Sequence, residues 1–338
     1  MIIFYIVLAL AILLSVRKRI DVGAWCCKDD SDAIKGVFII LVFLAHARGY
    51  LHDAPAFWGD VIVGKFAGLL GQLVVVPFLF LSGYGVSESI AAKGRKYLVS
   101  FPHRRILPVV VNFDIAVLVF AVLWLAMHGS LPMEKFTLSL VAWDSLGNSN
   151  WYIFAIVLCY LGAYMSARFS NHPAVFTFAI VFTITQILSF VKPECWYNTM
   201  MAFPLGMFFS EHKVKISEFI AKRYLISIAG SAIVFMSVFA LRCHDFNGII
   251  YNMLSMAFSA LMVIVMFRIR LKNNFLMWAG RNVFPLYIYQ RLPMIVLSML
   301  GINIKGGGVF FIAASFSVTA LVVLFYPKFR FRYPLCWK

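Results

Sequence analysis

Charge is scarce in this 338-residue chain: Asp, Glu, Lys and Arg fill 13% of positions, while hydrophobic residues fill 62%. A soluble domain of this length has more surface than so few charges can cover. Acidic residues are the scarcer sign, 14 against 30 basic, leaving a net charge of +16. The six cysteines, at 26, 27, 159, 195, 243 and 336, follow no metal-ligand spacing and have no partner histidine cluster, so no metal site is expected. Cys195 and Cys243 both fall near expected outer loops, a placement that permits a disulfide without requiring one. Cys336 has too few residues after it for a prenylation box. Internal repeats, low-complexity tracts and a hydrophilic stretch long enough for a soluble domain are all missing, so positions 1–338 read as a single unit.

What the chain has instead is a series of apolar runs, each bounded by a Lys/Arg cluster, a Pro/Gly turn or a polar loop. Eleven are expected, at about 2–16, 34–52, 66–88, 106–128, 151–167, 173–191, 195–210, 224–241, 247–267, 282–300 and 308–326. The first carries Arg17, Lys18 and Arg19 on its C-terminal side, whereas a secretory signal carries its charges before the apolar core. It is therefore read as a membrane helix. The fold expected is an all-α polytopic membrane protein of about 11 transmembrane helices.

The basic residues have a side. With Arg17 placed inside, only seven of the 30 Lys and Arg (Arg48, Lys65, Lys135, Lys192, Arg242, Arg291 and Lys305) fall on the other face or within spans. The positive-inside rule then puts the N-terminus outside and the C-terminus in the cytoplasm. Loop placement accounts for the charge, and nucleic-acid binding is not needed to explain it.

Ionisable groups inside a bilayer are costly, so each is a functional candidate. The second run holds the sharpest pair: Lys35 is followed by ten uncharged residues and then His46. Eleven steps of ~100° return to within ~20° of the starting azimuth, and at 1.5 Å per residue they span ~16 Å, so the two groups share one helix face. With Lys35 at the membrane boundary, His46 falls near the midplane of a ~30 Å core. Arg48, Tyr50, His52 and Asp53 continue this helix, implying an enclosed, hydrated outer half. Residue types alone leave two roles open for His46, a packing hydrogen bond or chemistry.

The segment from Lys35 to His46 resembles the first conserved helix of the membrane-bound acyltransferase 3 family, marked by Arg or Lys, ten residues, then His. Phe80-Leu81-Ser82-Gly83-Tyr84 looks like that family's aromatic run ending in Ser-Gly. Arg104-Arg105-Ile106-Leu107-Pro108 resembles its basic motif, and Trp151-Tyr152-Ile153, with Tyr160 later, resembles the opening of its middle helix. Gly280 to Gln290 resembles the late motif, which in the family ends in histidine. The match runs over about 34–326, a ten-helix core preceded by one extra N-terminal helix. Two departures stand out: Gln290 replaces the late histidine, so that position cannot carry a proton, and Pro108 stands where a second arginine of the basic motif is expected.

The resemblance implies transfer of an acyl group, usually acetyl from acetyl-CoA, to a hydroxyl of a cell-surface or lipid-linked glycan, in the inner membrane of a bacterium. The acyl-CoA is a co-substrate, and no tightly bound cofactor is expected. His46 titrates near neutrality and suits the role of base, or of a transient acyl carrier. Lys35, Arg104 and Arg105 are placed to meet the donor's phosphates, though Arg104 and Arg105 equally fit ordinary membrane anchoring. Asn112 and Asp114 lie within the next span. Asp114 is read as orienting a base, balancing Arg48, or most simply as half of a structural ion pair. Tyr287 and Gln290 are candidates for binding the sugar or the oxyanion, with Arg291 ranked below them. Trp151 and Tyr152 are candidates for stacking on a sugar or, more commonly, for interface anchors. Glu88 is read as solvated. The competing readings are a secondary transporter or glycan flippase, weakened by the lack of two similar halves with broken helices, and a glycan polymerase or ligase, weakened because the longest outer loop, about 129–150, has few charges.

Overall fold

A computed structural model describes residues 1–19, 27–51, 58–245, 247–305 and 307–332. The expected contributions of Cys26, His52, Asp53, Cys336 and Lys338 lie outside the described residues. The chain is built of helices α1 (Ile2–Ser15), α2 (Lys28–Arg48), α3 (Trp58–Leu70), α4 (Val76–Phe101), α5 (Leu107–His128), α6 (Met133–Leu140), α7 (Trp151–Phe169) and α8 (Pro173–Ser189). There follow α9 (Ala202–Glu211), α10 (Lys213–Lys222), α11 (Tyr224–His244), α12 (Gly248–Met266), α13 (Asn274–Arg281), α14 (Val283–Tyr289), α15 (Arg291–Met299), α16 (Ile302–Lys305) and α17 (Gly307–Phe329). Every expected apolar run is helical over at least part of its length. Among the described residues, five helical stretches are long and apolar enough to cross a membrane by themselves: Asp60–His128, Trp151–Phe169, Tyr224–His244, Gly248–Met266 and Gly307–Phe329.

Burial is inverted relative to a soluble bundle. In α11 the only buried residue is Val238, while Leu225 is 78% and Ile233 66% exposed. Such an apolar exterior is stable only against lipid. Polar groups turn inward and close their hydrogen bonds within the helices: Ser255 donates to the Tyr251 carbonyl at 2.9 Å, Ser259 to Ser255 at 2.9 Å, and Thr319 to Ser315 at 2.7 Å. A hydroxyl with no water nearby has few other partners.

Two helix crossings are so close that only glycine fits. A methyl group on Gly36 of α2 would collide with the Leu276 carbonyl, and one on Gly280 of α13 with the Asp32 carbonyl. The second crossing pairs Gly83 of α4 with the Phe203 carbonyl and Gly206 of α9 with that of Phe80. Without a hydrophobic force between helices in lipid, such backbone approach maximises dispersion contact.

Several features depart from the sequence reading. The expected 282–300 span is divided into α14 and α15 at Gln290; Pro293 cannot donate to the carbonyl four residues back, at Tyr289. The 195–210 run is a short 3-10 turn at Glu194–Trp196 followed by the ten residues of α9. A small antiparallel ribbon pairs β1 (Val16–Lys18) with β2 (Ile269–Leu271), with Val16 opposite Leu271. Asn273 then caps α13, accepting from the Leu276 N–H at 3.1 Å.

Candidate functional site: a basic cavity leading toward His46

Helix α2 begins six residues earlier than its apolar run. Its first turn carries Asp29 and Asp30, where negative charge is favoured by the helix dipole. These carboxylates collect cations from elsewhere in the chain. Asp30, 2% exposed, meets Arg19 at 2.7 Å and Arg270 at 3.4 Å. Asp32, 4% exposed, meets Lys35 at 2.7 Å and Arg281 at 3.3 Å, and Arg281 also reaches Asp29 at 3.0 Å. Carboxylates buried to this degree need such partners. Asp32 thereby fixes Lys35 and Arg281 beside one another, on helices already joined by the Gly36 and Gly280 crossing.

Lys35 and Arg281 stand at the edge of a cavity of about 550 Å³. Its lining also includes Arg104, Arg105, Arg330 and Arg332, and no carboxylate. Among the described residues, no carboxylate pairs with Arg104, Arg330 or Arg332. Arg105 is oriented by its Nε, which donates to the Tyr97 hydroxyl at 2.9 Å. Arg104 and Arg105 occupy a π-type turn, Pro102–Ile106, between α4 and α5. Three of the expected donor-side cations are thus brought together, joined by Arg281, which falls within the late Gly280–Gln290 motif, and by Arg330 and Arg332.

Away from these cations the lining becomes aromatic and aliphatic, with Phe78, Ile153, Ile156, Tyr152 and Tyr287. Tyr152 and Tyr287 meet edge to face, ring centroids 5.3 Å apart, and Tyr152 packs likewise against Phe78 at 6.1 Å. His46 does not line this cavity. It lies beyond Tyr287, with its ring centroid 6.2 Å from the phenol ring. Among the described residues its Nδ1 has no hydrogen-bond partner, and neither has the Tyr287 hydroxyl. The hydroxyl faces the Ser149 side chain and the Tyr152 backbone without closing a bond to either.

Gln290, 1% exposed, is buried at the junction of α14 and α15. Its Nε2 donates to the Tyr287 carbonyl at 3.1 Å, and its carboxamide is the side chain set to hydrogen-bond the His46 ring. Arg291 lies within electrostatic reach of the imidazole, and it donates to the Tyr50 hydroxyl at 3.3 Å.

Of the other expected residues, Asn112 and Tyr152 line the cavity and the rest do not. Arg48 donates to the Gly64 carbonyl at 2.7 Å. Asp114 forms no ion pair among the described residues, and its Oδ1 has no hydrogen-bond partner, which corrects the expectation that it balances Arg48 or sits in a structural pair. Trp151 packs edge to face on Tyr152 at 6.2 Å, and Tyr152, rather than Trp151, lines the cavity. Glu88 is paired rather than simply solvated, with Lys213 at 2.6 Å and Ser210 at 2.7 Å. Cys195 and Cys243 are free thiols. Asn112 is a backbone clamp, buried and bound to Phe331.

Sequence reading passed over Asp32, Ser149, Arg330 and Arg332. Asp32 was legible as an i, i+3 partner of Lys35. The others reach the site through contacts distant in sequence, for which no local pattern exists.

No match is found among curated proteins or among solved structures. The family model described as an acyltransferase domain matches residues 28–327, from the first residue of α2 nearly to the end of α17. That span includes the glycine crossings, the cavity cations up to Arg281, and the His46, Tyr287 and Gln290 group, and the chain belongs to the acyltransferase 3 family.

Proposed function

We propose that this membrane acyltransferase moves an acyl group, most simply acetyl, from cytoplasmic acyl-CoA to a hydroxyl of a cell-surface or lipid-linked glycan, with His46 as the base. The observation that carries this reading is the cavity itself, lined by six cations and by Tyr287, whose ring centroid lies 6.2 Å from that of His46. A polyanionic donor suits the cations, and its uncharged arm suits the apolar depth.

A sugar hydroxyl is a weak nucleophile at neutral pH. In the proposed step its proton passes to the His46 imidazole as its oxygen bonds to the thioester carbonyl carbon. The carbon–sulfur bond then breaks, and the proton is returned to the leaving CoA thiolate. The Tyr287 hydroxyl is the nearest donor to the developing oxyanion. A route in which the imidazole first accepts the acyl group uses the same residues.

The test is CoA release from acetyl-CoA by the purified protein in lipid nanodiscs, together with mass spectrometry of cell-surface glycans with and without the gene. The expected result is CoA release that His46→Ala abolishes without changing the thermal midpoint, and an acyl mass increment that depends on the gene. Full turnover in the His46→Ala variant would remove the histidine from the mechanism. A wild-type protein that neither binds nor consumes any acyl-CoA would return the chain to the transporter or flippase reading.

A further inference from the structure

The segment after α17 is held by an unusual device. Asn112, 4% exposed in the second turn of an apolar helix, pairs its carboxamide with the backbone of Phe331. Its Oδ1 accepts from the Phe331 N–H at 2.8 Å, and its Nδ2 donates to the Phe331 carbonyl at 3.1 Å while also reaching the Pro108 carbonyl at 2.7 Å. Both hydrogen-bonding groups of one residue outside the helix are thus satisfied by one side chain. The end of α17 is seated separately, through edge-to-face contacts of Tyr289 with Tyr326 at 6.3 Å and with Phe329 at 6.1 Å.

This clamp has a consequence for charge. Arg330 and Arg332 flank the clamped residue, and both line the basic cavity with Arg104 and Arg105. Neither has a carboxylate partner among the described residues. Like charges gathered around one cavity repel each other, and an anionic ligand relieves that repulsion.

We infer that Arg330 and Arg332 are donor-binding residues, contacting phosphate groups of the acyl donor, and that Asn112 is the positioning residue that holds them there. This rests on the proposed use of an acyl-CoA donor. It adds a wall to the site that comes from beyond the matched residues 28–327.

The experiment measures coenzyme A binding to the full chain in nanodiscs by calorimetry, over a range of salt. Arg330→Gln with Arg332→Gln is expected to raise the CoA Kd about tenfold or more and to flatten its salt dependence, since two charge-assisted contacts are lost. Lys222→Gln, an exposed cation away from the cavity, controls for net charge and is expected to change neither. Asn112→Leu is expected to raise the Kd in the same direction, and to add little when combined with the double substitution, because it acts through the same two arginines. In turnover, the loss should appear in the donor KM more than in kcat.

A double variant that binds CoA as tightly as wild type, with the same salt dependence, overturns the inference while leaving the donor reading intact. An Asn112→Leu effect fully additive to that of the arginines overturns the positioning role. Wild-type protein with no affinity for CoA overturns the donor reading itself.

Discussion

The phenol ring of Tyr287 stands between the basic cavity and the imidazole of His46, 6.2 Å from it centroid to centroid, with a hydroxyl that no protein group satisfies. A buried hydroxyl without a partner contributes nothing to stability that its removal would forfeit. Tyr287→Phe should therefore leave the thermal midpoint unchanged. If the hydroxyl contacts the reacting group, the same substitution should lower kcat by about tenfold to a hundredfold, measured as CoA release. Unchanged kcat would make Tyr287 a wall only.

Gln290 donates to the Tyr287 carbonyl and lies beside the His46 ring. Gln290→Leu keeps the volume and deletes both contacts, so the imidazole loses the group that orients it. The expected outcome is a fall in kcat of about tenfold with little change in donor KM, the pattern of a group acting on the transition state rather than on binding. Gln290→Glu, which retains an acceptor, should recover part of the rate.

Elsewhere in the chain, two ion pairs differ in burial and should differ in worth. Arg19 and Asp30 are almost fully enclosed, at 3% and 2% exposure. Asp30→Asn would leave a buried guanidinium short of its counter-charge, a loss of roughly 3 kcal/mol or more. Lys213 and Glu88 are 42% and 33% exposed. Glu88→Gln should cost about 1 kcal/mol or less. Thermal denaturation of the two variants in one lipid system compares them directly, and equal shifts would contradict this ranking.

The glycine crossings predict a sharp positional contrast. A methyl group at Gly36 meets backbone that no rotamer change can move, whereas at Gly68 nothing lies within 4 Å. Gly36→Ala should lower the yield of folded protein and its thermal midpoint, by about 1–3 kcal/mol at least. Gly68→Ala should be neutral in the same assay.

Much of this site follows from local rules. The phase of Lys35 and His46 depended only on helix geometry, and α2 runs unbroken through both. The Ser82-Gly83 and Gly280-Arg281 motifs were visible as letters, but their physical reason, backbone contact with Phe203 and Asp32, required the tertiary arrangement. The acidic turn at Asp29, Asp30 and Asp32 was passed over because apolar periodicity was used to place the helix start, and a polar first turn carries none. Asn112 illustrates the converse. Its polarity within an apolar span was plain, yet its partner lies 219 residues away. Arg330 and Arg332 reached the cavity by that same long contact, so their charge could be counted but not located.

The crossing of α2 and α13 has one more consequence. Because Gly36 and Gly280 press backbone on backbone, the helix bearing Lys35 and His46 cannot slide or tilt to suit a ligand. Under the proposed chemistry, anchor and base are then the two marks of a gauge, ~16 Å apart along the axis. A donor would be selected by reach as well as by charge: a truncated thioester fails to arrive at His46, and a longer acyl group must find its room on the far side of the imidazole.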